Sequence, residues 1–317
     1  MKSTNSQNMS PEKLREEIMR LKKEKNALIM AHYYQREEIQ EIADFIGDSL
    51  ALARQAAKTD ADVIVMCGVH FMGETAKILC PGKKVLIPDV KAGCSLADSC
   101  QPEEFEKFVK AHPDHTVISY VNTSAAVKAL TDIVVTSGNA RKIVEQLPED
   151  EKIIFGPDHN LGEYINSVTG RNMLLWKGAC HVHDRFSLEK ILEMKKEHPG
   201  AKLLVHPECK RPLQLIADKV GSTAALLEFA STDDAQEYIV VTESGILFEM
   251  RKKCPGKTFL AAPAEDAECQ CNECDFMKLN TLEKVYTALR DGKPEIEVDK
   301  EIAEKALRPI ERMLAMS

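Results

Sequence analysis

Cysteine is the residue type whose placement in this chain most directly predicts chemistry. Cys94 and Cys180 each follow an alanine and a glycine, and they lie 86 residues apart. A third group, Cys269, Cys271 and Cys274, closes a further stretch of similar length. Three thiolates suit a [4Fe-4S] cluster with one open iron, and such an iron acts as a Lewis acid. This spacing favours a catalytic iron–sulfur site.

Two other readings of these cysteines remain open at this point. A Cys-x-Cys-x-x-Cys run also suits zinc, and a cluster with four thiolate ligands would be an electron carrier. The first residues lack a secretory signal and no apolar run reaches membrane length, so we expect a cytoplasmic protein with reduced thiols. The remaining cysteines have no threefold set of counterparts and are interpreted as structural: Cys67, Cys80, Cys100, Cys209 and Cys254.

Acid–base side chains follow three apolar segments that have the composition of buried strands. In parallel α/β proteins, ligands bind outside the carboxyl ends of the strands. We therefore expect a shared site lined by the residues at these ends: His32, Tyr34, Tyr120, Asn122, His206 and Glu208. The plainer alternative is that both histidines are hydrogen-bonded core residues and that Tyr120 and Asn122 only pack.

Three turns that combine a hydroxyl and a glycine precede predicted helices. Their hydroxyl residues Ser49, Ser137 and Thr223 are separated by 88 and 86 residues. Backbone N–H and side-chain O–H donors at such turns can hold a carboxylate or a phosphate. Each residue alone could instead be an ordinary helix N-cap.

These spacings predict that the chain consists of three copies of one unit of about 87 residues. Short apolar strands alternate with amphipathic helices, which indicates parallel sheets covered on both faces. One of these helices is expected to run through Ile42 and Phe45, and the last, at about residues 300–316, has an apolar stripe that should be buried on the first unit. We predict an α/β fold with three α/β/α sandwich domains, related by a pseudo-threefold axis around a central cavity. The predicted units are residues 1–106, completed by C-terminal helices in 280–317, then 107–190 and 191–279. One large doubly wound sheet is the alternative.

Charge and composition exclude several classes of partner. There are 42 lysines and arginines against 50 aspartates and glutamates, a net charge of −8, and the basic residues are dispersed. Neither a nucleic acid nor a membrane is therefore expected as a partner. The hydrophobic and charged fractions are those of a globular protein.

Eight ordered motifs give the chain a resemblance to a known family. They are AHYYQ (31–35), IGDS (46–49), AGCSLAD (92–98), YVNT (120–123), TSGNA (136–140), GACHVH (178–183), HPEC (206–209) and CDFMK (274–278). With these motifs the sequence resembles the quinolinate synthase A family of bacterial de novo NAD biosynthesis, over nearly its whole length.

The resemblance implies three α/β/α domains and an oxygen-sensitive [4Fe-4S] cluster held by Cys94, Cys180 and Cys274. It implies condensation of iminoaspartate with dihydroxyacetone phosphate to quinolinate, with L-aspartate oxidase or aspartate dehydrogenase supplying the imine. The implied substrate contacts are His32, Ser49, Tyr120, Asn122, Ser137, His206, Glu208 and Thr223. The implied catalytic residues are Glu208 as a base, Tyr34 as a proton donor, His32, His206 and His183.

The third cluster ligand is the point on which repeat and resemblance disagree. Aligning the repeats favours Cys269, because Ala267-Glu268-Cys269 resembles Ala92-Gly93-Cys94. The family pattern of a cysteine before x-x-Met-Lys favours Cys274, which we take as the prediction. A redox role for Cys269 and Cys271 is left open.

Overall fold

The computed structural model describes residues 9–265 and 272–317. Within them, twelve strands form three separate four-stranded sheets, and every strand pair is parallel. Each sheet has its first and third strands in the middle, in the orders β2-β1-β3-β4, β6-β5-β7-β8 and β10-β9-β11-β12. This confirms the predicted α/β class with three α/β/α domains, and it excludes one continuous doubly wound sheet.

The strands are short and are joined by helices. The strands are β1 Ala27–His32, β2 Phe45–Gly47, β3 Val63–Cys67, β4 Lys84–Leu86, β5 Thr116–Tyr120, β6 Ile133–Val135, β7 Ile153–Gly156, β8 Leu174–Leu175, β9 Lys202–Val205, β10 Lys219–Val220, β11 Glu237–Val241 and β12 Thr258–Ala261. The helices are α1 Pro11–Glu24, α2 Glu37–Ile42, α3 Ser49–Lys58, α4 His70–Leu79, α5 Ser95–Asp98, α6 Pro102–Lys110, α7 Ala125–Lys128, α8 Ala140–Glu145, α9 His159–Thr169, α10 Leu188–Glu197, α11 Arg211–Leu215, α12 Thr223–Thr232, α13 Ile246–Lys253, α14 Leu282–Asp291 and α15 Lys300–Met316. Short 3-10 helices cover His183–Arg185 and Met277–Leu279. No described helix is long and apolar enough to cross a membrane.

The described chain divides into two compact units. One comprises residues 9–94 and 275–303, and the other comprises 95–265, 272–274 and 304–317. In the first unit, apolar faces of α1 and α14 pack on β1 and β3 to form the core. The second unit contains two sheets, each with its own core, one around Phe105 and Ile154 and one around Ile191 and Ile239. Burial of these apolar faces is the main stabilising contribution to each layer.

One aspartate contact recurs in all three sheets and establishes the repeat. Asp44, Asp132 and Asp218 each precede the short edge strand, and they are 88 and 86 residues apart. Each carboxylate accepts the backbone N–H of the residue 15 positions earlier in the first strand, at 2.7–2.9 Å. The same residues also donate their own N–H to that strand, at 2.9–3.0 Å. This contact fixes each short edge strand against the first strand of its sheet, which is one of the two central strands.

The first edge strand corrects one predicted element. The apolar pattern predicted an amphipathic helix through Ile42 and Phe45, but α2 ends at Ile42 and Phe45 begins β2. The contact between Asp44 and Ile29 draws the chain into the sheet at this point. Three residues are too few to show the alternation of a strand, so the helical pattern of the preceding turn was extended too far.

The last helix also differs from the prediction. Residues 280–317 were expected to complete the first unit, and α14 does pack there. The end of α15 instead belongs to the second unit, where Arg312 donates to the Asp132 carbonyl and the Met316 carbonyl accepts from Gln146. The apolar stripe of α15 correctly predicted burial, but an apolar stripe carries no information about which layer covers it.

Candidate active site

In each sheet, the second strand lies on one side of the first strand and the third strand lies on its other side. The carboxyl ends of the first and third strands are therefore neighbours at the point where the strand order switches sides. Open α/β sheets bind ligands at such a switch point. In the third sheet, His206 and Glu208 follow β9, and Thr242 and Glu243 follow β11. All four side chains are buried.

Glu208 is held between two histidines. Its Oε2 atom lies 2.7 Å from His183 Nδ1 and 3.4 Å from His206 Nδ1, and Tyr120 hydrogen-bonds the same carboxyl group. Burial raises the pKa of Glu208, but the interaction and hydrogen bond with His183, with smaller contributions from His206 and Tyr120, outweigh burial and lower this pKa to about 2. Glu208 is therefore an ionised carboxylate at neutral pH.

His183 connects this carboxylate with a cysteine. Its Nδ1 atom also lies 3.3 Å from Cys180 Sγ, while its Nε2 atom lies 2.9 Å from Thr242 Oγ1. The His183 ring stacks on the His206 ring, with a centroid separation of 4.5 Å. Contacts at both nitrogens fix the orientation of the imidazole.

His206 extends the network to one of the hydroxyl turns. Its Nδ1 atom accepts the backbone N–H of Glu208 at 3.4 Å, and its Nε2 atom lies 3.2 Å from Ser137 Oγ. The first unit repeats the backbone contact, because Tyr34 donates its N–H to His32 Nδ1 at 3.2 Å. The Tyr34 and His32 rings are 4.5 Å apart. In both sheets, the backbone N–H two residues later thus orients the imidazole at the end of the first strand.

Ser49 and Thr223 are the first residues of α3 and α12, and neither is the cap. The caps are the preceding residues: Asp48 accepts from the Ala51 N–H, and Ser222 accepts from the Ala225 N–H. In both copies, the helix N-cap is therefore the residue directly before the hydroxyl residue that the sequence offered as a possible cap. Ser137 contacts His206, as described above.

Two buried oxygens at these strand ends have no hydrogen-bond partner among the described residues. They are Glu208 Oε1 and Asn122 Oδ1. Buried polar atoms in folded proteins are nearly always hydrogen-bonded, so an unpaired pair beside one network indicates a place where a ligand or water completes the site.

The hydrogen-bond register identifies the cysteine that is equivalent in each repeat. In each sheet, the third residue after the third strand donates its N–H to a carbonyl in the segment before the cysteine. The pairs are His70 to Ala92, His159 to Gly178 and Ser244 to Asn272, at 2.7–3.2 Å. Each acceptor is followed two residues later by a cysteine, namely Cys94, Cys180 and Cys274. The register therefore favours Cys274 over the repeat alignment with Cys269. Cys269 and Cys271 lie outside the described residues.

Buried carboxylates hold the backbone of two of these cysteines. Asp158, after β7, accepts the Cys180 N–H at 3.1 Å, and Glu243, after β11, accepts the Cys274 N–H at 3.1 Å. Burial and the negative charge of Glu208 raise the pKa of Asp158 well above its usual range. Neither carboxylate was predicted from the sequence, because both follow third strands, whereas the predicted acid–base residues follow first strands; the switch-point rule covers both.

Comparison with known proteins places the chain in a family. The family model described as NadA, Quinolinate synthetase A protein, matches residues 16–315. The chain belongs to this family. It is 57% identical over 300 residues to the quinolinate synthase of Synechococcus sp. (strain ATCC 27144), covering 95% of this chain and 94% of the relative. It is 54% identical over 310 residues to that of Chloroherpeton thalassium, covering 98% and 96%.

In this member of the quinolinate synthetase A family, the eight described cysteines fall into two classes. Cys94, Cys180 and Cys274 are partly accessible, whereas the other five described cysteines are buried. Burial raises the pKa of Cys67 and Cys100 to about 12, and it also raises the pKa of Cys80 and Cys209. Metal ligation needs the thiolate, which burial disfavours. Among the described cysteines, Cys94, Cys180 and Cys274 are therefore the ones that burial does not disfavour as metal ligands.

A group of three potential metal ligands lies within 4.8 Å among the described residues: Cys180, His183 and Glu208. Both nitrogens of His183 and the Oε2 atom of Glu208 already take part in hydrogen bonds. Those bonds are typical of an acid–base pair that lies beside a cysteine.

In the second unit, the structure brings six of the predicted site residues into one connected network: Tyr120, Ser137, Cys180, His183, His206 and Glu208. Asn122 follows β5, and Thr223 opens α12 in the same unit. The predicted residues of the first unit are His32, Tyr34, Ser49 and Cys94, and they occupy the equivalent positions around its own sheet.

Proposed function

We propose that this chain is a quinolinate synthase, which condenses iminoaspartate with dihydroxyacetone phosphate to give quinolinate, phosphate and two waters. The observation that carries the proposal is the buried His183–Glu208 pair, 2.7 Å apart and beside Cys180. It occurs in a chain that is more than half identical to relatives named quinolinate synthase over nearly its whole length.

Carbon–carbon bond formation, imine closure and two dehydrations all require proton transfer. Glu208 is ionised, its Oε2 atom is engaged by His183, and its Oε1 atom has no partner among the described residues. We assign to Oε1 the acceptance of a substrate proton. The same oxygen would then return that proton to a departing hydroxyl. His206 assists Glu208, and Tyr34 and His32 are the proposed acid–base groups of the first unit.

The substrates carry two carboxylates and one phosphate, and these groups need donors. Ser49 and Thr223 present hydroxyl groups at the first turn of a helix, where free N–H groups also attract anions. Ser137 is oriented by His206, and Tyr120 by Glu208. Asn122 offers its amide NH2 as a donor, and its Oδ1, which has no partner among the described residues, can accept from a substrate hydroxyl or N–H. We assign these residues to substrate binding.

A [4Fe-4S] cluster held by Cys94, Cys180 and Cys274 is the proposed cofactor. When bound, such a cluster supplies a Lewis-acid iron. The support is the accessibility of the three thiols and their equivalent register. Asp158 and Glu243 fix the backbone at Cys180 and Cys274, so both thiols are presented from a held main chain.

The proposed reaction implies a supplier for its imine substrate. Iminoaspartate forms by two-electron oxidation of aspartate, so an L-aspartate oxidase or an aspartate dehydrogenase must act upstream. A cytoplasmic location, where cysteines stay reduced, is part of the proposal. Nucleic acids and membranes are not proposed as partners.

Anaerobic purification with iron and sulfide analysis, an absorption spectrum and a quinolinate assay tests the proposal. We expect a brown protein with about four irons and four sulfides per chain. Its colour should bleach in air, and it should form quinolinate from dihydroxyacetone phosphate and freshly generated iminoaspartate. A colourless, air-stable zinc protein would overturn the cofactor assignment. A full cluster without quinolinate formation would favour an electron carrier.

A further inference from the structure

A long polar side chain clamps the loop that follows the first strand of every sheet. Gln40 Nε2 donates to the carbonyls of Tyr33 and Gln35 at 3.1 and 2.8 Å. Gln214 Nε2 donates to those of Pro207 and Cys209 at 2.9 and 2.7 Å.

The second sheet has a lysine in this place. Lys128 Nζ donates to the carbonyls of Val121 and Thr123 at 2.8 and 2.5 Å. Gln40, Lys128 and Gln214 are separated by 88 and 86 residues, which is the repeat spacing of the site hydroxyls. Lys128 is fully buried, with 0% of its surface exposed.

The two carbonyls held by each clamp flank one residue. That residue is Tyr34 in the first copy, Asn122 in the second and Glu208 in the third. The first carbonyl belongs to the peptide before the central residue and the second to the residue after it, so this short segment is held at both ends and the direction of the central side chain is set.

We propose that Gln40, Lys128 and Gln214 are positioning residues, which fix the directions of the Tyr34, Asn122 and Glu208 side chains at the carboxyl ends of their own sheets. The catalytic meaning of those directions rests on the proposed function, whereas the clamp itself rests on the geometry alone. An amide nitrogen carries two donor hydrogens and an ammonium carries three, so either group can hold two carbonyls. The charge of Lys128 is therefore not what the clamp requires.

The test compares Lys128→Met with Lys128→Gln in the full-length, cluster-loaded protein. Lys128→Met keeps an unbranched side chain but removes the donor, so Asn122 loses its fixed direction. Because Asn122 is a proposed substrate contact, we expect KM to rise about tenfold or more, with a smaller change in kcat. Lys128→Gln, which copies the other two sheets, should restore KM to within about threefold of wild type.

Lys257→Met is the matched control. Lys257 also donates to two backbone carbonyls, those of Ala230 and Asp233, but no predicted site residue lies between them. This variant should lose thermal stability like Lys128→Met and keep wild-type KM. A merely structural lysine at position 128 would behave in the same way as this control.

Amide hydrogen exchange over residues 118–130 gives a readout that does not depend on activity. Exchange there should be faster in Lys128→Met and unchanged in Lys128→Gln and Lys257→Met. If Lys128→Gln is as impaired as Lys128→Met in both measurements, the clamp proposal is overturned and the charge is what matters. If exchange follows the clamp while wild-type protein makes no quinolinate, the proposed function fails and the clamp stands.

Discussion

Glu208 shows how a single carboxylate is prepared by its surroundings. Taking an ionised carboxylate out of water is costly, and hydrogen bonds with His183 and Tyr120 offset that cost here. One oxygen is committed to this pair, and the other has no partner among the described residues. The Oε2 atom therefore holds the Glu208 side chain in place, and the Oε1 atom is the one proposed to react.

Replacing Glu208 with glutamine therefore tests the reacting oxygen. Glu208→Gln keeps size and hydrogen bonding but removes the charge, so turnover should fall by the 10²–10⁴ typical of a lost general acid or base. The cluster spectrum should stay intact, because Glu208 is not a proposed ligand. A control is Glu237→Gln, which alters a His–Glu pair with His198 outside the site. An active Glu208→Gln enzyme would refute the role, and a lost cluster would make Glu208 structural.

Thr223 and Ser222 are neighbours with different expected functions. Ser222→Ala removes the cap of α12, so it should cost about 1 kcal/mol of unfolding free energy and leave substrate affinity unchanged. Thr223→Ala should instead weaken substrate binding by about 1.5–3 kcal/mol, the value for a hydrogen bond to a charged group. We expect the same of Ser137→Ala. Urea unfolding and substrate titration measure both quantities, and equal effects of the two alanine variants on affinity would argue against the distinction.

At the scale of elements, the segment from β7 to Cys180 depends on a close approach at Gly178. A Cβ atom on Gly178 would lie 2.6 Å from the Pro157 carbonyl oxygen and 2.5 Å from Ser99 Oγ. The glycine also exchanges backbone hydrogen bonds with Pro157 and His159. The strand end and the cysteine segment therefore pack main chain against main chain.

Gly178→Ala should force these segments apart. We expect a loss of about 1–3 kcal/mol of unfolding free energy, as for overpacking in other cores, and a lower iron content, because Cys180 follows two residues later. Gly200→Ala is the matched control, since no atom lies within 4 Å of its added Cβ. A Gly178→Ala protein with full stability and a full cluster would contradict the packing interpretation.

The sequence predicted the central strands better than the edge strands, for a physical reason. Buried parallel strands are continuous apolar runs, as at Val63–Cys67, and such runs are visible in the sequence. Edge strands such as β2 and β10 have only three and two residues, too few for any period to appear. Their place is set by Asp44 and Asp218, whose partners lie 15 residues away.

The site could be predicted only as far as residue type and strand end allow. His206 and Glu208 come directly after an apolar strand, so the sequence alone was enough to predict them as site residues. Asp158 and Glu243 act on backbone N–H groups more than twenty residues away, at Cys180 and Cys274. Lys128 was missed because a lysine on a short helix normally indicates a solvated surface. Only the folded chain shows that its ammonium is buried against two carbonyls.

At the scale of the whole chain, the three copies share a scaffold and differ in the residue that each one presents. The edge-strand aspartate, the loop clamp and the cysteine register recur in all three. The clamped residue changes from Tyr34 to Asn122 to Glu208: a proposed proton donor, a substrate contact and a base. A repeated scaffold thus carries a reaction that needs several different groups.

Cysteine variants test whether each copy contributes one ligand to the cofactor. Cys94→Ser, Cys180→Ser and Cys274→Ser should each abolish the four-iron signal, because a three-ligand cluster has no spare thiolate. Cys269→Ser and Cys271→Ser should retain it. Cys100→Ala is the control for a buried cysteine: it should keep full iron and sulfide and lose only stability. Retention of iron in Cys274→Ser together with its loss in Cys269→Ser would show that the repeat alignment, and not the hydrogen-bond register at Asn272, identifies the third ligand.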